Sequence, residues 1–291
     1  MITPPFLKTA GDGRCSRIAL VAPARKITPE EIAFAVEHIK GRGFEVVYDD
    51  RLFLSHHQFA GSDEERAAVL QTYLDDPEID AIMCVRGGYG TIRIIDRLNF
   101  DKFAQNPKWV VGYSDITVLH NKLQCLGFES LHATMPINFP DNTQRSLDSL
   151  FDALTGKTIN YDIPELNAFK DVDAEVVGGN ISVLYSLLGS DIFPDTDGKI
   201  LFLEDLDEYL YHIDRMMKAF KRAGKLDNIK GLIVGGLTKM HDNAIPFGMT
   251  AEEIILETVK DNDIHTVFNF PAGHINDNMA IILGKKLLAG A

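Results

Sequence analysis

The sequence is short of the residues that build disulfide scaffolds, metal centres and nucleic-acid surfaces. Cysteine occurs three times in 291 residues, as Cys15, Cys84 and Cys125. These are odd in number, far apart and without Cys-x-x-Cys spacing, which excludes a disulfide framework and fits buried thiols in a reducing compartment. No His, Cys and carboxylate grouping has metal-ligand spacing, so neither a metal nor another cofactor is expected. Basic residues are the minority, 29 against 42 acidic ones, and the net charge of -13 argues against nucleic acid or an anionic membrane as a partner. The apolar runs are strand-sized, well below a membrane span. Met1-Ile2-Thr3-Pro4-Pro5-Phe6 has no basic flank followed by an apolar core, so no secretory signal is read and a cytoplasmic location is expected. Fixed-period repeats and low-complexity tracts are absent.

What is present is an alternation of short apolar strands with helices, which predicts an α/β fold with parallel sheets. Arg17-Ile18-Ala19-Leu20-Val21 reads as a first buried strand. Thr28 with Glu31 and Ser62 with Glu65 read as capping boxes opening two helices. Further strands are expected at 44–48, 80–85, 109–114 and 131–134. Helices are expected from Thr91 through Leu98, over 115–126 and over 142–154. The pattern lapses over 156–172, which divides the chain into an N-terminal domain (1–155), a linker and a C-terminal domain (173–291). In the second unit, 174–177 reads as a strand that turns at Gly178-Gly179-Asn180. Strands follow at 200–203, 231–236 and 265–270. Helices are expected over 209–223 and after Thr250, which with Glu253 forms a third capping box.

Ligands in open α/β sheets gather beyond the carboxyl ends of the strands. Arg86-Gly87-Gly88-Tyr89-Gly90, Ser114, Glu204-Asp205 and His274 all fall at such ends. Ser114 stands where an apolar strand gives way to helical periodicity. That is the setting of an exposed nucleophile, with helix N–H groups aimed at a developing oxyanion, and equally the setting of a helix cap. Glu204 is placed to orient a base, or else is a solvated loop acid. Among nine histidines, His274 follows a glycine after a strand and is the best placed for a base. His120 is too far along its helix to reach Ser114, and His132 reads as a satisfied core histidine. Arg86 suits a substrate carboxylate, or an internal ion pair. The glycine loop matches neither dinucleotide nor phosphate-loop spacing.

Taken in order, Arg86-Gly87-Gly88-Tyr89-Gly90, Gly112-Tyr113-Ser114-Asp115, Gly178-Gly179-Asn180, Leu203-Glu204-Asp205 and Pro271-Ala272-Gly273-His274 resemble the LD-carboxypeptidase family of serine peptidases. This family includes murein tetrapeptide carboxypeptidases and microcin C self-immunity peptidases. The resemblance implies Ser114 as nucleophile, Glu204 as orienting acid and His274 as general base. It implies the amides of Asp115 and of Gly87 or Gly88 as oxyanion donors. It also implies an active site straddling two domains, and a homodimer. Self-immunity members tend to carry longer insertions with aromatic residues that stack on a base. The single tryptophan here, Trp109, lies in a core strand and the loops around Glu204 are short. A murein tetrapeptide, cut before its terminal D-alanine during peptidoglycan recycling, is therefore the expected substrate. A nucleotide-antibiotic substrate, or a non-catalytic protein that cradles small anions on its glycine loops, are the alternatives.

Overall fold

The computed structural model describes residues 1–287. The first half of the chain runs β1 (Arg17–Val21), α1 (Pro29–Gly41), β2 (Glu45–Val47), α2 (Asp63–Asp75), β3 (Ala81–Cys84), α3 (Asp101–Gln105), β4 (Trp109–Gly112), α4 (Thr117–Cys125), β5 (Ser130–His132) and α5 (Gln144–Leu154). The second runs β6 (Val176–Asn180), α6 (Ile181–Leu187), β7 (Ile200–Leu206), α7 (Leu210–Arg222), β8 (Gly231–Thr238), α8 (Ala251–Val259), β9 (Thr266–Val267) and β10 (Ile281–Leu283). All three expected capping boxes form, each with reciprocal bonds between the cap and the third helical residue.

Two sheets result. The first has the order β10-β5-β4-β3-β1-β2 and the second β6-β7-β8-β9. Every pairing is parallel except that of β10 with β5. The fold is α/β with two domains, as the alternation requires. Buried parallel strands carry apolar residues on both faces, and β1, β3 and β4 do so almost without interruption. In the first sheet β1 connects outward to β2 on one side while β3 to β5 extend on the other. The order therefore reverses between β1 and β3, and a crevice opens beyond their carboxyl ends.

One apolar core runs across both halves. Ile116, Leu119 and Leu123 around α4 are packed in the same cluster as Val177, Ile181, Leu184 and Leu203 of the second unit. This shared core fixes the two sets of strand ends against each other. At its rim the Asn180 N–H, at the end of β6, donates to Thr117 Oγ1 of α4 at 3.1 Å.

Several local expectations are corrected. Residues 91–97 form two single 3-10 turns rather than a helix. The carboxylate of Asp115 accepts from both the N–H and the hydroxyl of Thr91, at 2.9 and 2.6 Å, and holds the start of that segment in a turn. Gly178-Gly179-Asn180 is not a turn but the end of β6. The expected strand over 265–270 shrinks to Thr266–Val267. An additional strand, β10, carries the chain back to the edge of the first sheet. The segment 156–172 is packed rather than open: Tyr161, Leu166 and Phe169 are buried, and the Tyr161 hydroxyl donates to the Ala280 carbonyl at 2.8 Å. Residues 288–291 of the expected second domain lie outside the described residues.

Candidate active site

Ser114 stands two residues beyond the end of β4, with a left-handed backbone at φ 64°. A non-glycine residue in that region costs roughly 1–2 kcal/mol and is held there only by its surroundings. A 3-10 turn over Ser114–Ile116 leads into α4, so the α-helix begins two residues later than its periodicity suggests. Ser114 does not cap it. The residue preceding the turn is Tyr113, no side-chain cap bond is made, and the Ser114 hydroxyl has no hydrogen bond among the described residues. The strained elbow thus presents an uncommitted hydroxyl.

The glycine loop after β3 lies against it. A β-carbon on Gly87 would stand 3.3 Å from Ser114 Cβ and 3.5 Å from the Asp115 nitrogen. The side chain of Asp115 is buried and holds Thr91. Loop and elbow are therefore tied at both ends. As an early helical N–H, that of Asp115 has no acceptor in the preceding turn.

The other strand ends close the site. Glu204 is fully buried in β7, and His274 donates from Nδ1 to Glu204 Oε2 at 2.6 Å. Gly273 makes this contact possible: its φ is 101°, and a β-carbon there would stand 2.7 Å from Glu204 Oε2. Its N–H is anchored by Asn278 Oδ1 at 2.8 Å. The His274 ring packs against Tyr113 with centroids 4.9 Å apart. Burial works to lower the His274 pKa, but the charge and hydrogen bond of Glu204 outweigh it and the net direction is upward. For Glu204, burial works upward and the attraction of His274 wins, holding the carboxyl below its ordinary range.

Ser114, Asp115, Gly87, Gly88 and His274 line one cleft of about 460 Å³, with Arg25, Arg86, Asp205 and Asp207 also on its walls. Glu204 stands behind His274. Ser114 and His274 face the same space without a direct hydrogen bond between them. Asp205, buried beside Glu204, is pushed up to about 7 by desolvation and then by the Glu204 charge. It accepts from Asn180 Nδ2 and from the N–H groups of Ser182 and Leu206 at 2.8–2.9 Å.

Arg86 reaches the cleft wall, but its Nη1 is 3.3 Å from both Glu31 Oε1 and the Lys26 carbonyl, the internal ion pair that its sequence context left open. His120 is held away from Ser114 by Gly112 O and Ser130 Oγ, at 2.8 and 2.9 Å. His132 is buried as expected but is not satisfied, since neither ring nitrogen has a partner among the described residues. It sits among the rings of Tyr113, His120 and Phe202, and burial pulls its pKa down to about 4. Among the described residues no group of His, Cys, Asp or Glu is arranged to hold a metal ion, and no helix is long and apolar enough to cross a membrane.

Residues 18–133 match the LD-carboxypeptidase N-terminal domain, and 173–288 match the LD-carboxypeptidase C-terminal domain. The chain belongs to the LD-carboxypeptidase family, peptidase family S66, and so to the carboxypeptidase hydrolases. It is 32% identical to the probable murein peptide carboxypeptidase of Bacillus subtilis, over 92% of this chain and 87% of that protein. The microcin C7 self-immunity protein of Escherichia coli is 24% identical over 91% of this chain and 87% of its own. The crystal structure of the muramoyltetrapeptide carboxypeptidase from Oxalobacter formigenes superposes with a TM-score of 0.80, at 27% identity, over 92% of this chain and 93% of that one.

Proposed function

We propose that this protein is a serine-type LD-carboxypeptidase that releases the terminal D-alanine of a murein tetrapeptide, as a cytoplasmic step of peptidoglycan recycling. One observation carries the reading. A buried carboxylate holds the Nδ1–H of His274 at 2.6 Å, and the imidazole then faces a cleft shared with a strained, unpartnered serine. A carboxylate on Nδ1 fixes the tautomer that leaves Nε2 free to accept a proton.

His274 Nε2 takes the Ser114 proton as Oγ attacks the scissile carbonyl. The oxyanion is received by the N–H of Asp115 and that of Gly87 or Gly88, on the wall that abuts Ser114. His274, now positive and stabilised by Glu204, protonates the leaving amine of D-alanine. It then deprotonates the water that cleaves the acyl-enzyme. Because His274 must start neutral, kcat/KM rises with pH through its raised pKa. The acid limb is expected above the ordinary histidine value of about 6.5.

The murein substrate is supported by the 32% relationship to a murein peptide carboxypeptidase. The cleft walls support it too: their aromatic rings are Tyr113 and His274, while Trp109 is fully buried. Incubation with L-alanyl-γ-D-glutamyl-diaminopimelyl-D-alanine should release D-alanine, and the same peptide ending in L-alanine should remain intact. Equal release from both, or none from the first, contradicts the reading.

A further inference from the structure

We infer that Arg25 is the residue that recognises the free α-carboxylate of the leaving amino acid, an assignment that rests on the carboxypeptidase reading above. A carboxypeptidase needs a positive group about one residue beyond the scissile carbonyl, and the cleft offers two cations, Arg25 and Arg86. Arg86 is engaged with Glu31 and the Lys26 carbonyl. Arg25 is exposed, and its guanidinium makes no hydrogen bond or ion pair among the described residues. A buried or tethered arginine has a structural partner, whereas this one faces the cleft without any.

Its position is set by the fold. Arg25 follows β1, the Gly87-Gly88 loop follows β3, and the strand order reverses between these two strands, where ligands of open α/β sheets bind. The Arg25 N–H points at the Gly87 carbonyl at 3.4 Å. Its side chain then lies across Gly88: a β-carbon there would stand 2.5 Å from Arg25 Cδ and 2.8 Å from Nε. Gly88 has φ 107°, so any other residue would be strained and would also displace the arginine.

The spacing suits the task. Gly87 abuts Ser114 and Gly88 abuts Arg25. Arg25 therefore lies against the loop residue next to the one that abuts the serine, about 3.8 Å further along the backbone. The wall formed by the end of β7 carries Asp205 and Asp207. That wall offers no arginine or lysine, so a terminal carboxylate is drawn to the Gly88 wall. The planar guanidinium can grip it with two parallel hydrogen bonds.

The test compares the tetrapeptide with its C-terminal carboxamide, on wild type, Arg25→Gln and Arg25→Lys. The wild-type enzyme should prefer the free acid in kcat/KM. Arg25→Gln should shrink that preference by about 10- to 100-fold, mainly through KM, because a charge-assisted pair is removed. Arg25→Lys should fall between, keeping the charge but not the fork. An unchanged melting temperature shows that the variants fold. A preference that is unaltered in Arg25→Gln, or equal losses on acid and amide, overturns the assignment while leaving the carboxypeptidase reading intact. No D-alanine release by wild type overturns both.

Discussion

The end of β4 and the end of β7 solve opposite problems. At β4 the chain is strained at Ser114 and the hydroxyl is left free. At β7 Glu204 and Asp205 are buried, and they are hydrogen-bonded to His274, Asn180, Ser182 and Leu206 at 2.6–2.9 Å. In the proposed mechanism one end holds the nucleophile and the other fixes the apparatus that activates it. A nucleophile that must form and break bonds gains from having no ground-state partner. An orienting acid gains from having no freedom. The contrast suggests that mutations at the first end cost activity and little stability, while those at the second cost both.

Four substitutions probe that contrast, in order of expected effect. Ser114→Gly should lower kcat for D-alanine release by about 10⁶-fold. The variant should melt no lower than wild type, because glycine relieves a left-handed backbone. A clear drop in melting temperature would show that the serine is structural. Glu204→Gln should lower kcat by about 10⁴-fold. It should also move the acid limb of kcat/KM to lower pH, since removing the negative charge leaves burial as the main influence on His274. An unmoved limb in a pH-rate profile would detach Glu204 from the base.

Gly273→Ala drives a methyl toward Glu204 Oε2 in a backbone region that alanine resists. Thermal melts should show a loss of about 1–3 kcal/mol, with kcat down roughly 10- to 100-fold. Thr91→Val removes one of the two bonds that hold the Asp115 carboxylate. It should cost about 1–2 kcal/mol and only a few-fold in kcat, because the backbone bond of residue 91 to Asp115 remains. Activity losses as large as those of Glu204→Gln would mean that the loop–elbow tie does more than set geometry.

Much of this was legible in the sequence, for physical reasons. Buried parallel strands must be apolar throughout, so β1, β3, β4 and β7 stand out, and capping boxes mark where helices start. Strand ends then bring Ser114, Glu204 and His274 forward as candidates. What was not legible depends on distant contacts. β10 is three residues long and owes its existence to pairing with β5, far away in the chain. The glycines of β6 looked like a turn because glycine usually breaks strands, yet here they extend one. The unpartnered state of His132 follows from which rings pack around it. Arg25 belongs to no motif, although it does follow a strand end. It stands out only once Arg86 is seen to be engaged and the sheet order reverses beside β1.

In the proposed mechanism Ser114, just past β4, and His274, in the loop between β9 and β10, act as a unit. The most direct measurement is D-alanine release by Ser114→Ala, by His274→Ala and by the double variant. The double variant should be no slower than the slower single one, because neither group works without the other. Losses that multiply, or substantial turnover by Ser114→Ala, would contradict it.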